Sequence, residues 1–385
     1  MSRFDEVDVA ALLRRRTVKW TLHPPDVLAA WVAEMDFAVA PVVRAAILDA
    51  VDRQEFGYAA ADHSALSAAC AGFMARRYGW TVSANRVFPV ADVLVGIRGA
   101  LDGFSPAGCG VVIPTPAYPP FFAVVERSGR VPVQVPLLAD ADGRRALDLD
   151  GIDAALAGGA RAVLLCNPQN PTGTVFTRED LAGLAEIVDR HGARVVADEL
   201  HAPLVYPGRV HVPYPTVSDA AAAHAIVVTS VSKAWNVPGL KCAQVITPAR
   251  ADADGWRGLP GLAVADPTPI GMAVAEAAYT DGEPWLADLL AYLDGNRRHL
   301  ADLVARELPG VGYRPPDATY LAWLDCAALD LDDPAGWFLA HARVAVNDGP
   351  PFGVGAERCV RLNFGTSRAL LDEIVGRMGA ALRAR

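Results

Sequence analysis

The chain has 385 residues, of which 52% are hydrophobic, and a formal net charge of −9 at pH 7. The negative charge argues against a nucleic-acid partner, and no uninterrupted apolar run is long enough to span a bilayer. The N-terminus lacks the apolar core of a signal peptide, and six cysteines without CxxC spacing indicate reduced thiols and no zinc site. We therefore expect a cytoplasmic protein with two closely packed domains.

Short apolar runs in the middle of the chain predict buried strands. They lie at 111–113, 130–135, 162–166, 194–197, 225–229 and 243–247. Helical segments separate several of them, such as 177–191, where Thr177 and Asp180 predict a capping box. Alternating strands and helices favour a mostly parallel sheet covered on both faces. A long helix is expected from about residue 285 to Leu308, followed by strands near 319–324 and 359–363.

A rigid turn follows the predicted strand at 162–166. The segment Asn167-Pro168-Gln169-Asn170-Pro171-Thr172-Gly173 contains two Asn-Pro steps and a glycine, and these residues favour a tight turn. Such a turn can aim the side-chain amide of Asn170 at a ring hydroxyl of a bound ligand.

The next predicted strand, 194–197, is followed by two acidic residues, Asp198 and Glu199. In an open α/β sheet the carboxyl ends of the strands border the ligand crevice, so we expect Asp198 to face a ligand. A carboxylate in that place can keep a pyridine nitrogen protonated, which makes the ring an electron sink. A helix N-cap is the alternative role for this aspartate.

A lysine among small hydroxyl residues follows the predicted strand at 225–229. In Ser230-Val231-Ser232-Lys233 the lysine is expected to be poorly solvated, which favours its neutral amine. A neutral lysine amine can form a Schiff base with an aldehyde, and Ser230 and Ser232 could hydrogen-bond a phosphate. Together these groups suggest pyridoxal 5′-phosphate (PLP) as cofactor. The same string is also typical of exposed loops.

These motifs resemble those of the fold type I PLP enzymes of the aspartate aminotransferase superfamily. The resemblance rests on Asn170-Pro171-Thr172-Gly173, Asp198, Ser232-Lys233 and Arg361 in Val360-Arg361-Leu362-Asn363-Phe364-Gly365, in this order and spacing. Further segments are similar to the bacterial cystathionine beta-lyase (C–S lyase) branch of the superfamily. They are Trp31-Val32-Ala33-Glu34-Met35-Asp36-Phe37, Phe56-Gly57-Tyr58, Pro114-Thr115-Pro116-Ala117-Tyr118, Asp198-Glu199-Leu200-His201 and Thr319-Tyr320-Leu321-Ala322-Trp323-Leu324-Asp325.

The resemblance implies an α/β fold with a mostly parallel, seven-stranded-type sheet in a large PLP-binding domain and a smaller α+β domain. The implied domains are an N-terminal segment, 1–45, that packs with the small domain, the large domain, 46–284, and the C-terminal small domain, 285–385. It further implies a homodimer with shared active sites, in which Tyr58 reaches the cofactor phosphate of the neighbouring subunit.

The resemblance also assigns the cofactor-binding residues. Lys233 would hold the cofactor as a Schiff base and then move the substrate proton, Asp198 would contact the pyridine nitrogen, and Asn170 would bond the ring hydroxyl. Tyr118 would stack on the ring and join Lys233 and Asp198 as a catalytic residue. His201, three residues after Asp198, would also bind the cofactor, as histidine does in the C–S lyase branch. The residues implied for the phosphate, besides Tyr58, are Ser230, Ser232, Lys241 and the backbone amides of Ala91, Asp92 and Val93.

For the substrate, a small amino acid, the resemblance assigns the α-carboxylate to Arg361, whose planar guanidinium fits a carboxylate bidentately. Asn170 and Tyr118 would also contact it. Trp20, Met35, Asp36, Trp235 and Tyr320 are candidates for the side-chain pocket. The implied reaction is carbon–sulfur β-elimination from L-cystathionine or a related L-cysteine S-conjugate, giving pyruvate, ammonia and a thiol.

An aminotransferase acting on an L-amino acid and a 2-oxo acid would use the same residues. A third alternative is a regulatory protein that keeps the cofactor fold and acts through a partner. The complete set of Lys233, Asp198 and Arg361 argues against a loss of catalysis in that case.

Overall fold

A seven-stranded sheet with helices on both faces forms the larger part of the chain in a computed structural model, which describes residues 2–140, 143–260 and 265–385. The helices of these ranges are α1 (Val9–Leu13), α2 (Val18–Thr21), α3 (Pro41–Asp52), α4 (Ser64–Tyr78), α5 (Val93–Phe104), α6 (Pro120–Arg127), α7 (Leu149–Ala157), α8 (Arg178–Arg190), α9 (Asp219–His224), α10 (Arg250–Arg257), α11 (Pro269–Asp281), α12 (Glu283–Glu307), α13 (Pro334–Ala342) and α14 (Arg368–Arg383). The strands are β1 (Leu28–Ala29), β2 (Val87–Val90), β3 (Gly110–Thr115), β4 (Val131–Pro136), β5 (Leu138–Ala139), β6 (Arg145–Ala146), β7 (Ala160–Cys166), β8 (Arg194–Asp198), β9 (Ala225–Thr229), β10 (Ala243–Ile246), β11 (Gly312–Tyr313), β12 (Leu321–Asp325), β13 (Val344–Ala345), β14 (Asn347–Asp348) and β15 (Cys359–Asn363).

The strand order of the large sheet is β2-β10-β9-β8-β7-β3-β4. Neighbours from β9 to β4 are parallel, whereas β10 runs antiparallel to both β9 and β2. The predicted α/β fold with a mostly parallel sheet is therefore confirmed. Both faces are covered by apolar clusters, which explains why β7 and β9 read as continuous apolar runs and not as alternating ones.

Two local features hold helices in place around the sheet. The predicted capping box at the start of α8 is confirmed. Thr177 Oγ1 accepts a hydrogen bond from the backbone N–H of Asp180, and the Asp180 carboxylate accepts one from the backbone N–H of Thr177. On the other face, α5 lies close to the sheet at Gly96. A Cβ atom there would lie 2.9 Å from Val228 Cγ1 and 3.0 Å from Val245 Cγ2, so only glycine permits this approach.

The C-terminal part forms a four-stranded antiparallel sheet of order β11-β12-β15-β14. The N-terminal segment packs against this part, because β1 pairs in parallel with β13 and the Asn363 amide donates to the Ala30 carbonyl at 2.8 Å. These contacts support placing 1–45 with the small domain, and the domain bounds stay a prediction. None of the helices in the described ranges is long and apolar enough to cross a membrane.

Candidate active site

A cavity of about 170 Å³ lies where β3, β7 and β8 end and α5 begins. Parallel pairing aligns the ends of β7 and β8, with Cys166 opposite Asp198, so the segments that follow the strands converge as expected for an open α/β sheet. The cavity brings together nine of the residues predicted from the sequence. They are Asp92, Val93, Tyr118, Asn170, Asp198, His201, Ser232, Lys233 and Lys241.

The Asp198 carboxyl is buried, with 5% of the residue exposed. Its Oδ1 accepts the Leu200 amide at 3.0 Å, and the described residues offer it no other hydrogen bond and no ion pair. Burial raises the pKa of this carboxyl to about 7, with Glu199 acting in the same direction and the Leu200 amide and Lys233 opposing it. Asp198 is therefore a buried acid whose charged form lacks a cationic partner within hydrogen-bond reach.

Lys233 lies just after β9, and its Nζ donates to the Ala33 carbonyl at 2.7 Å. Removal of the ammonium from bulk water lowers the pKa of Lys233 to about 8, and the charge of Arg361 contributes to this shift. A substantial fraction of the amine is consequently neutral near pH 8, which is the state that acts as a base or nucleophile.

His201 and Tyr118 add uncharged rings to the cavity. His201 is buried, and its Nδ1 has no hydrogen-bond partner in the described ranges. Burial lowers the pKa of His201 to about 3, with Lys233 and Arg361 contributing, so its imidazole is neutral. Burial also raises the pKa of the Tyr118 phenol, which therefore stays protonated.

Arg361 lies on β15, next to the cavity, and is 3% exposed. Nη1 donates to Asn170 Oδ1 at 3.0 Å, and Nη2 donates to the Trp31 carbonyl at 3.1 Å and to Asn347 Oδ1 at 2.6 Å. The Phe352 ring centroid lies 5.1 Å from its Cζ. Burial lowers the pKa of Arg361 to about 10, so the guanidinium remains charged at neutral pH.

The start of α5 forms another side of the cavity, and here the structure differs from two details of the prediction. Asp92 caps the helix by accepting the Val95 amide at 2.9 Å and pairs with Lys241 Nζ at 2.9 Å. The Ala91 amide is not free for a phosphate, because it donates to the Ala265 carbonyl. Ser230 does not line the cavity, since its hydroxyl donates to the Cys242 carbonyl and accepts the Ser232 amide.

Tyr58 lies outside the cavity and is fully exposed. It borders a separate surface depression of about 340 Å³ that also includes Arg53, His63 and Met272. Within one chain, therefore, the structure does not bring Tyr58 to the other predicted residues, and its role in a neighbouring subunit stays a prediction.

The candidates for the side-chain pocket do not line this cavity, and their role in a pocket stays a prediction. Their polar atoms are used inside the protein: Trp20 Nε1 donates to Asp36 Oδ1, Trp235 Nε1 to the Gly282 carbonyl and Tyr320 OH to the Ala33 carbonyl. Met35 is completely buried. The signal in 31–37 reflects a different function of this segment, because its backbone carbonyls accept bonds from Lys233, Asn236, Tyr320 and Asn363.

Two groups in or beside the site were not found by sequence reasoning. The Ala33 carbonyl binds the Lys233 amine, although the two residues are 200 positions apart, and Asn347 contacts Arg361 through strand pairing. A backbone carbonyl carries no residue signature, and Asn347 is a single amide in a loop-rich region. Only the 31–37 segment offered a signal, because it is similar to the lyase branch.

The fold and the cavity define an α/β protein with a cavity at the carboxyl ends of its parallel strands, lined by a lysine amine and a buried carboxyl and bordered by a buried guanidinium. Comparison with protein families agrees with this class. The model of the aminotransferase class I and II family matches residues 32–378, and the chain belongs to this family.

Individual relatives cover nearly the whole chain. The cystathionine beta-lyase of Corynebacterium glutamicum is 40% identical, over 99% of this chain and 100% of the relative. Among solved structures, a protein provisionally described as a PLP-dependent beta-cystathionase from Corynebacterium diphtheriae is 41% identical, with a TM-score of 0.93 and 98% of each chain covered. The PLP-bound C–S lyase from Staphylococcus hominis is 27% identical, with a TM-score of 0.89 and the same coverage.

Proposed function

We propose that this chain is a PLP-dependent carbon–sulfur β-lyase that cleaves L-cystathionine or related L-cysteine S-conjugates to pyruvate, ammonia and a thiol. The observation that carries the proposal is that the Lys233 amine and the Asp198 carboxyl line one cavity, while the Arg361 guanidinium lies beside it and donates to the cavity residue Asn170. The full-length similarity to a cystathionine beta-lyase supports the same reaction.

The residues of the cavity fit PLP. Asp198 offers a buried carboxyl with one hydrogen bond and no cationic partner within reach, as a protonated pyridine nitrogen requires. Asn170 and the unpartnered Nδ1 of His201 face the same space, and the start of α5 with Lys241 suits a phosphate. When bound, PLP supplies an electron sink for the negative charge that develops at the substrate Cα.

Lys233 has the properties of the base that removes the Cα proton. Its pKa of about 8 keeps part of the amine neutral near that pH, and a general base works best when its pKa lies near the operating pH. The hydrogen bond to the Ala33 carbonyl holds the amine in the cavity. Replacement of Lys233 by alanine therefore removes both the covalent anchor and the base.

Arg361 has the properties of the group that binds the substrate α-carboxylate. The guanidinium is buried, charged and bonded only to uncharged oxygens in the described part of the chain. A buried cation without a counter-charge costs stability, and a carboxylate ligand supplies the missing charge with bidentate geometry. This fixes one end of the amino acid and so orients its Cα toward Lys233.

The protonation states of the cavity favour a sulfur leaving group. His201 is neutral and the Tyr118 phenol is a weaker acid than usual, so neither supplies a strong acid to a departing atom. A thiolate needs little acid assistance, because thiols ionise near pH 8.5. Cleavage of the Cβ–S bond expels the thiolate with the bonding electron pair and leaves 2-aminoacrylate, which water converts to pyruvate and ammonia.

The assembly in this proposal is a homodimer with shared active sites. The apolar side chains of Leu48, Val51 and Phe56, which precede Tyr58 in the sequence, are exposed, and a second copy of the chain would cover them. Such a copy would bring its own Tyr58 to the phosphate side of the cavity. A cytoplasmic location belongs to the same proposal and is supported by the six free cysteines, five of which are buried.

The deciding experiment is incubation of the purified holoenzyme with L-cystathionine and no 2-oxo acid. We expect pyruvate, ammonia and a thiol in equal amounts, and almost no turnover by Lys233→Ala. The control is Arg306→Ala, which removes an exposed cation that pairs with Glu307 and does not line the cavity, and this variant should remain active. No pyruvate from any β-thio substrate, together with amino transfer that depends on a 2-oxo acid, would identify an aminotransferase instead.

A further inference from the structure

Asn347 makes the shortest of the three hydrogen bonds that Arg361 donates, at 2.6 Å. The contact follows from strand pairing, because β14 runs antiparallel to β15 with Asn347 directly opposite Arg361. Opposed residues in an antiparallel pair project from the same face of the sheet and lie close together. Asn347 is therefore built into the fold as a neighbour of the guanidinium.

The residue after Asn347 is a carboxylic acid that does not reach Arg361. Asp348 lies opposite Val360, and its Oδ1 accepts the Gly349 amide at 2.9 Å. A pairing register shifted by one residue would place this carboxyl on the face of Arg361. In the observed register, the neutral amide of Asn347, and not the carboxyl of Asp348, lies opposite the buried guanidinium.

We propose that Asn347 is a positioning residue for substrate binding, which orients the Arg361 guanidinium through a neutral oxygen and leaves its positive charge available to the α-carboxylate of an amino acid. The inference rests on the proposed function only in taking an amino acid as the ligand. It holds equally for β-elimination and for amino transfer, because both begin with the same carboxylate contact.

The physical argument concerns the difference between an amide and a carboxylate at one position. An amide oxygen accepts one N–H of the guanidinium without neutralising it. A carboxylate in the same place would form a charge-assisted pair and compete with the substrate for the cation. The other two acceptors, Asn170 Oδ1 and the Trp31 carbonyl, are also uncharged, and the carboxylates described in the structure form no ion pair with Arg361. Burial lowers the pKa of Arg361 to about 10, because the charged guanidinium is less stable away from water than in it.

The test is Asn347→Asp, which keeps the side-chain shape and adds one negative charge beside Nη2. For L-cystathionine we expect KM to rise by about 10- to 100-fold, as for loss of a charge-assisted contact, while kcat changes by less than about threefold. The thermal midpoint should increase in both the cofactor-free and the loaded protein, because the buried cation gains a partner. The absorbance of bound PLP should stay unchanged, since Asn347 does not line the cavity.

Two further variants separate positioning from general effects. Asn85→Asp adds the same charge at an exposed site and should leave KM and the thermal midpoint unchanged. Asn347→Ala removes the orienting bond without adding a charge, so we expect a smaller rise in KM than for Asn347→Asp and no increase in thermal midpoint. An unchanged KM in Asn347→Asp, or a fall in kcat with KM unaffected, would overturn the inference.

A failure of the proposed function gives a different result. If the wild-type protein forms no pyruvate from L-cystathionine but transfers amino groups, the same KM comparison is made with L-aspartate and 2-oxoglutarate as the probes. A rise in the KM for L-aspartate in Asn347→Asp would then uphold the role of Asn347 although the lyase activity is absent. Equal KM values for wild type and variant would overturn it in either reaction.

Discussion

Two buried cations in this protein differ in whether a carboxylate of the chain balances their charge. Lys19 on α2 is 1% exposed and pairs with Asp36 Oδ1 at 2.8 Å, which also accepts Trp20 Nε1 at 3.0 Å. Arg361 is almost as buried, but its acceptors in the described ranges are the uncharged oxygens of Asn170, Trp31 and Asn347. The first charge is balanced by the chain itself, whereas the second has no counter-charge among the described residues.

The same contrast separates two of the buried acids. Asp36 meets Lys19, whereas Asp198 has one amide donor and a pKa raised to about 7 by burial. The balanced pair joins α2 to the stretch around Asp36 within the N-terminal segment. The unbalanced charges of Arg361 and Asp198 lie at or beside the cavity. A substrate carboxylate would balance the first, and a cationic ring nitrogen would balance the second. Perturbed groups in a cleft are typical of functional sites.

The largest expected effect comes from breaking the balanced pair. Asp36→Ala leaves Lys19 as a buried charge with only the Glu34 carbonyl at 2.8 Å, so the free energy of unfolding should fall by about 3–5 kcal/mol. Urea denaturation of the cofactor-free protein measures this loss. The double variant Lys19→Met, Asp36→Leu should regain most of it, because well-packed apolar residues can replace a buried ion pair. Equal losses in the two variants would mean that packing, and not charge balance, matters here.

The next effect concerns Asp198, the acid without a cationic partner, and is seen in how the free energy of unfolding depends on pH. Because the pKa of Asp198 is raised from 3.8 to about 7, the folded protein binds an extra proton between about pH 4 and pH 7. Its stability relative to Asp198→Asn should therefore be highest below pH 4 and fall as the pH rises through 7, by on the order of 3 kcal/mol. Denaturation of cofactor-free wild type and Asp198→Asn across this pH range measures the difference in their free energies of unfolding. Because His201 titrates in both proteins, its contribution cancels in this difference.

Binding of PLP sharpens this test. A cationic ring nitrogen beside Asp198 would favour its charged form, so the decline toward pH 7 should shrink or disappear in the loaded protein. A decline of the same size with and without PLP would show that the cofactor does not contact this carboxyl.

Removal of Arg361, the cation without a counter-charge, should have the smallest effect on stability. Its effect on activity should nevertheless be large. Arg361→Met eliminates a buried charge that has no counter-charge in the described structure, so the free energy of unfolding should stay within about 1 kcal/mol of wild type or increase. In contrast, kcat/KM for L-cystathionine should fall at least about 100-fold, because the carboxylate contact is lost. A destabilisation as large as that of Asp36→Ala would contradict the distinction between the two cations.

Several elements of the site could be predicted from the sequence because each is local. Lys233 follows an apolar run, Asp198 follows another and Asn170 lies in a proline-rich turn after a third. Once the strands are parallel neighbours, their carboxyl ends must meet at one edge of the sheet. The resemblance to a known family added the remaining residues, and nine of the predicted ones line a single cavity.

Other features could not be read from local patterns. The antiparallel direction of β10, the occupied hydroxyl of Ser230 and the position of Tyr58 outside the cavity depend on how distant segments pack. An apolar run predicts a strand but not its direction. A serine beside a lysine suggests a phosphate contact, yet here the Ser230 hydroxyl donates a hydrogen bond to the Cys242 carbonyl next to the adjacent strand.

The sequence by itself determined the α/β class and the candidate residues for the chemistry, because strand and helix periods and motif spacing are properties of neighbouring residues. Only the tertiary structure decided which charges are balanced. The contact of Arg361 with Trp31 spans 330 positions and that of Lys233 with Ala33 spans 200, and the choice of Asn347 over Asp348 depends on a register of one residue. Such contacts are set by the packing of whole strands and segments, so no local pattern can specify them.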